Sequence, residues 1–312
     1  MARPERSRRH LVEIERTQER RDRTRNPVAG RHRRTGDTEN FAGTFSALGK
    51  LAYEGANVSA SVADITTGKT LVAIDDRIVL PTASIGKILL LIEVSARLTA
   101  RDSTGLGILD KTAKYSVGDS GIWQHLQAPS LPVADLATIV GATSDNIATN
   151  VLLAQVGLDA VRARTESLGL MRTALLDLVR DSRGPDDAPQ LSVGSTAELS
   201  WLFGALARSE VVDAVTSQRV MGWLSLNSDL SLVASAFGLD PLAHRGIDHG
   251  TLLVNKTGSD KGVRAEAGAL RGVRRSLTYA VSVQFNDDEL ASRLRVVDAM
   301  RTVGYDLLEY VH

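Results

Sequence analysis

Residues 251–285 read TLLVNKTGSDKGVRAEAGALRGVRRSLTYAVSVQF. Within them the runs 251–255, 262–270 and 277–285 have the strand period, and glycines and charged residues separate them, so they read as successive strands. A second strand pair lies far upstream, at 57–65 and 70–75, joined through Thr66, Thr67 and Gly68. There Val58, Ala60 and Val62 alternate with Ser59 and Ser61, which reads as a hairpin. Between the two strand groups the period is helical. Candidate helices are 84–98, 133–141, 145–156, 158–168, 195–207 and 211–224, and an irregular stretch at 180–195 carries Gly184, Pro185 and Pro189. Helical patterns also bracket the strands. Phe41, Phe45, Leu48 and Leu51 precede them, and 287–310 follows, with Leu290, Leu294, Val297, Met300, Val303 and Leu307 on one face. Strands at both ends with helices inserted imply an α/β architecture. The pieces 40–83 and 226–312 share an antiparallel sheet flanked by the terminal helices, and 84–225 forms an inserted all-helical subdomain.

Composition narrows the function class. Of 312 residues, 43% are hydrophobic and 24% charged, as in an ordinary globular protein. Lys plus Arg and Asp plus Glu both total 37, so global charge gives no reason to expect nucleic acid, and a monomer is expected. No apolar run is long enough to span a membrane. With no cysteine, disulfides and thiol catalysis are excluded. The histidines show no metal-ligand spacing such as H-E-x-x-H, so no metal or other cofactor is expected.

Residues 1–39 are rich in Arg with interspersed Glu and almost free of large apolar side chains. Such a segment reads as a disordered basic tail or a frayed solvated helix; an anchor for nucleic acid or acidic lipid is the sharper alternative. It lacks the apolar core of a secretion signal. As written the chain is expected to be cytoplasmic, or secreted if its start codon is mis-assigned.

Three short motifs carry chemistry. Ser84–Ile85–Gly86–Lys87 is S-x-x-K, which on a helix puts the ammonium beside the hydroxyl. A serine needs a nearby base, and a desolvated lysine can serve. The motif alone arises about once by chance in a chain this long; the plain alternative is an N-cap Ser84 and a surface Lys87. Ser144–Asp145–Asn146 lies between two helical runs, where Ser and Asp also make good caps. Lys256–Thr257–Gly258 ends a strand-like run; its lysine would attract a carboxylate and its glycine would admit a ligand to the strand edge.

In this order, S-x-x-K, S-D-N and K-T-G resemble the signature of the class A β-lactamases and penicillin-binding proteins. The resemblance extends through DNIATNVLLAQV from Asp145 and KTGSDKGVRAEAGAL from Lys256, and covers about 40–312. It implies a β-lactamase/transpeptidase-like fold and an acyl-serine mechanism. Ser84 would be the nucleophile, Lys87 the base for acylation and Ser144 a proton relay. Asn146 would position substrate and Lys87. Lys256, Thr257, Gly258 and Arg264 would bind a substrate carboxylate, and the Ser84 and Ser259 amides would form the oxyanion hole.

One departure stands out. Class A enzymes carry a deacylating glutamate in an omega loop, in an E-x-x-L-N context. The corresponding LLDLVRDSRGPDDAPQLS from Leu175 has no glutamate. Asp181 is nearest to the expected position but one methylene shorter; Asp177, Asp186 and Asp187 are further candidates, and loop polarity is the plain alternative for all four. Glu166 reads as a solvated helix residue. Gly118–Asp119–Ser120–Gly121 reads as a tight loop, not a protease motif, and Trp123 as core or cleft lining. The expected partner is a small carboxylate-bearing substrate, a β-lactam or a peptidoglycan-like amide. The function expected is that of a β-lactamase-like serine hydrolase, fast or slow in turnover. The alternatives are a D-alanyl peptidase or esterase, or a non-catalytic binding protein.

Overall fold

The computed structural model describes residues 34–37 and 40–312. Its centre is a six-stranded antiparallel sheet built from both ends of the described region. The strands are β1 (Arg34–Gly36), β2 (Asn57–Asp64), β3 (Thr70–Ile74), β9 (Leu252–Asp260), β10 (Val263–Arg271) and β11 (Ser276–Gln284), in the order β1-β3-β2-β11-β10-β9. Between them in sequence lie three short ladder pairings, made by β4 (Leu80–Pro81), β5 (Ile108–Asp110), β6 (Ser130–Pro132), β7 (Ala174–Leu175) and β8 (Ser192–Gly194). The helices are α1 (Ala42–Tyr53), α2 (Lys87–Ala100), α3 (Val133–Thr143), α4 (Asn146–Val156), α5 (Leu158–Ser167), α6 (Thr196–Ala207), α7 (Ala214–Leu224) and α8 (Leu290–Val311).

The two sheet faces have different chemistry. On one, Val58, Ala60, Val62, Leu253, Leu270 and Val281 form a core with Phe41, Phe45 and Leu48 of α1 and Met300, Val303 and Leu307 of α8. Each such large side chain contributes roughly 1.5–3 kcal/mol on burial. The opposite face is small or hydroxylated. Ala265, Ala267, Ala269 and Ala280 join the helical core. Ser59 bonds Thr196 at 2.7 Å, and Ser200 bonds Thr278 at 3.0 Å, so α6 seats closely on the sheet. The alternating serines of β2 are therefore buried under a helix.

Helix α2 is the axis of the helical layer, buried continuously from Lys87 to Ala96. A helix apolar on all sides belongs in a core. Its buried Glu93 is held by Arg97 at 2.7 Å and by Arg164 of α5 at 2.9 Å. Among the described residues no helix is long and apolar enough to cross a membrane.

Several sequence expectations shift. The boundary at residue 39 is too late, because Arg34–Gly36 pair with β3. An edge strand can be held by backbone bonds without apolar side chains, and Gly36 lies at φ +149° against the Leu71 carbonyl, where a side chain would collide. The rest of the expected tail lies outside the described residues. The 251–255 strand runs on to Asp260, since unbroken pairing with β10 carries Lys256, Thr257 and Gly258 inside the ladder. On α8, Leu290 and Leu294 are exposed, at 66% and 52%. The buried stripe starts later, at Val296, and uses Ala299 and Gly304 where only large residues were expected. Gly304 is needed there because a Cβ would strike the Val233 carbonyl.

Candidate active site

The chain enters the site through β4 and a single 3-10 turn, Ala83–Gly86, which precedes α2. Ser84 sits in this turn, not in the α-helix expected from 84 onward. Residues three apart eclipse on a 3-10 turn, so Ser84 and Lys87 share a face. Ala83 has φ +46°, a strained conformation for a residue with a Cβ. Ser192 of β8 supports the turn, donating to the Ala83 carbonyl at 2.6 Å and sharing a 2.7 Å hydrogen bond with Thr82.

Lys87 is fully buried. Its Nζ lies 2.6 Å from the Ser144 carbonyl, 2.7 Å from Asn146 Oδ1 and 3.2 Å from Ser144 Oγ. None of these is a carboxylate. Burial, aided by the charge of Lys256, holds the Lys87 ammonium well below the ordinary lysine range, while Asp145 and Asp119 oppose that shift. Nζ donates towards all three oxygens, none of which carries a charge that would hold its proton.

Ser144–Asp145–Asn146 joins α3 to α4. Ser144 adopts the left-handed conformation, φ 55° and ψ 34°. Asp145 caps α4 by accepting from the Ala148 amide at 2.9 Å, and its other oxygen takes the Trp123 amide at 2.7 Å. Asn146 donates to the Gly118 carbonyl at 3.0 Å and through its backbone to that of Ser120, also at 3.0 Å. Gly118–Asp119–Ser120–Gly121 is thus a wall of the cleft, and Gly121, at φ +120°, leaves the space that Asp145 fills. Trp123 is fully buried and belongs to the core.

Strand β9 brings K-T-G alongside. Gly258 passes so near the nucleophile turn that a Cβ would collide with the Thr82 carbonyl and lie 3.2 Å from the Ser84 amide. Lys256 is fully buried and donates to the Thr257 carbonyl at 2.7 Å. Burial pushes it down to about 8, against the pull of Asp229 and Glu266. Arg264 spends one guanidinium nitrogen on the Asp260 and Val263 carbonyls, both at 2.7 Å, and stacks over Phe285.

Above these groups opens a cavity of about 350 Å³ lined by Ser84, Asp119, Asn146, Val179, Asp181 and Ser259, among others. Four residues expected from the sequence, Ser84, Asn146, Asp181 and Ser259, line it together. Lys87 and Ser144 adjoin it through Asn146. Lys256, Thr257, Gly258 and Arg264 do not line it.

The omega-like stretch is clamped over the cavity. Asp177 takes Arg180 and Arg183, each at 2.8 Å, and Arg180 also reaches Asp187 at 3.1 Å. Against the upward push of burial, these bonds hold the Asp177 carboxyl below its usual range. Asn150 of α4 grips the Val179 backbone twice, at 2.8 and 2.9 Å. Asp181 accepts from the Gly118 amide at 2.9 Å, and no other carboxylate of 175–191 lines the cavity. Glu166 is exposed on α5. Sequence reasoning missed Asp119 and Asn150, which lie outside the three motifs and gain meaning only from what they face.

A model of the β-lactamase enzyme family, the Beta-lactamase2 family, matches residues 41–311. The chain belongs to the β-lactamase enzyme family. The β-lactamase family fold is also that of its structural neighbours. A β-lactamase from Sphaerobacter thermophilus is 23% identical with a TM-score of 0.74, over 87% of this chain and 97% of that one. PBP-A is 16% identical with a TM-score of 0.71, over 86% and 95%. A class A β-lactamase from Mycobacterium abscessus is 16% identical with a TM-score of 0.68, over 85% and 99%. No curated protein sequence matches the chain significantly.

Proposed function

We propose that this β-lactamase-family protein is an acyl-transfer hydrolase that opens β-lactams on Ser84 and releases the product slowly. The observation that carries this reading is Lys87, a buried lysine hydrogen-bonded to uncharged oxygens, three residues from a serine that lines an open cavity. A neutral amine there takes the Ser84 proton as Oγ bonds to the carbonyl carbon. The C–N bond of the lactam breaks, and Ser144 relays a proton to the leaving nitrogen. The Ser84 and Ser259 amides face the developing oxyanion, and Lys256 with Thr257 attracts the carboxylate.

Release needs a base beside a water. Asp181 is the residue of the loop with the means, and one of its oxygens is already engaged by Gly118. That supports slow deacylation. A second reading, a penicillin-binding peptidase or esterase with its own acyl substrate, is favoured by the apolar Val179 at the cavity wall. A mutant of PBP-A, one of the structural neighbours, is an acyl-enzyme complex with penicillin G.

Incubation with benzylpenicillin and a chromogenic cephalosporin, followed by intact mass and colour, separates these readings. Colour with no lasting adduct supports the hydrolase. A lasting adduct without turnover supports the peptidase or a binding protein. No adduct, with Ser84→Ala indistinguishable from wild type, refutes acyl transfer.

A further inference from the structure

Among the described residues, the mechanism above leaves unused the most deeply buried acid. Glu266, on β10 directly opposite Thr257 of the K-T-G strand, is fully buried. Its Oε1 accepts from Tyr279 of β11 at 2.6 Å and from Asn255 of β9 at 2.8 Å, and its Oε2 from the Ala234 amide at 3.3 Å. Asn255 in turn accepts from Asn227 at 3.0 Å. No cation bonds to Glu266 among the described residues. Yet Asn255 is the residue before Lys256, and strand alternation puts Lys256 on the other face of the same sheet. The ladder of Tyr279, Glu266, Asn255 and Asn227 therefore runs beneath the strand that presents the lysine.

We infer that Glu266 is a positioning residue for the carboxylate subsite: its buried carboxylate is the through-sheet countercharge that keeps Lys256 an ammonium and fixes its strand. This rests on the proposed role of Lys256. Unpaired burial makes an acid costly unless it is hydrogen-bonded, and three donors converge on this one. The other charge near the pair is Asp229, which also favours the ammonium. The charge of Lys256 in turn lowers Lys87 on α2. Tyr279 faces Glu266 from β11, and α8 contributes apolar residues of the same core, Met300 and Val303. Burial moves Glu266 up to about 7, so it is ionised in the range where Lys256, at about 8, loses its proton.

The sign is fixed: removing the negative charge makes Lys256 lose its proton at lower pH. The test uses full-length protein with lysine Cε labelled with ¹³C, titrated by NMR, with Lys256→Arg assigning the signal. Glu266→Gln is expected to lower the Lys256 midpoint by about half a pH unit or more, the scale of one charge acting across a sheet. Glu266→Asp, which keeps the charge, should retain the wild-type midpoint. Should Glu266→Gln not fold, Tyr279→Phe removes a donor to the carboxylate and should move the midpoint the same way. In kinetics, Glu266→Gln should weaken saturation by benzylpenicillin at pH 8. An unmoved midpoint in folded Glu266→Gln or Tyr279→Phe overturns the inference. The NMR titration needs no substrate, so its failure is distinct from failure of acyl transfer, which shows as no adduct on Ser84.

Discussion

The hydrogen bonds of the Lys87 nitrogen go to oxygen atoms of uncharged groups, and burial, aided by Lys256 against Asp145 and Asp119, holds its ammonium low. Replacing it by methionine keeps volume and removes the base, so benzylpenicillin acylation should fall by about 10²–10⁴-fold in stopped-flow measurements. The pH profile follows from the two buried lysines. Lys87 must lose its proton, so the rate rises with pH through its depressed value. Lys256 must keep its proton, so the rate falls as pH passes about 8. At the release step, Asp181→Ala should lengthen adduct lifetime about tenfold or more by intact mass. Val179→Glu should shorten it, because Asn150 already fixes that backbone at the cavity wall. The nucleophile and its lysine were legible as a motif. Glu266 was not: an acid in a strand reads as a solvent-facing residue, and only the pairing with β9 and the cover from α8 bury it.

At the scale of elements, the site depends on how closely β9 approaches the Ser84 turn. Gly258→Ala places a methyl against the Thr82 carbonyl. It should reduce acylation strongly while far-ultraviolet circular dichroism stays that of wild type, because the edge strand can shift without losing its ladder. The omega-like loop depends on Asp177. Asp177→Ala leaves Arg180 and Arg183 without their shared partner. Faster amide exchange across 177–189, with little change in α2, is the expected outcome. The helices and strands themselves were readable from period and turn residues. Their ends were less so, because K-T-G has turn-like composition and continues as a strand only when β10 pairs with it.

The described residues join 34–74 and 252–284 in one sheet, and the site lies where that sheet meets the helical layer. The order of strands and helices along the sequence was enough to predict this. The extra edge strand β1 was not, since RTG carries no apolar alternation and its pairing with β3 is a backbone ladder. Global stability should carry the signature of Glu266. A carboxyl raised from 4.5 to about 7 in the folded state favours folding below its unfolded value and loses that contribution as pH rises through 7. The full shift corresponds to roughly 3 kcal/mol. Urea unfolding should therefore show wild type losing stability as pH rises from about 4.5 to about 7, with Glu266→Gln flatter.

The central claim is that Ser84 forms a covalent acyl-enzyme driven by Lys87. Intact-mass measurement after mixing with benzylpenicillin, with peptide mapping of the product, tests it most directly. The account predicts a mass increase equal to one whole penicillin, located on Ser84, decaying slowly, and missing from Ser84→Ala. An adduct on another residue, or the same adduct in Ser84→Ala, would contradict it.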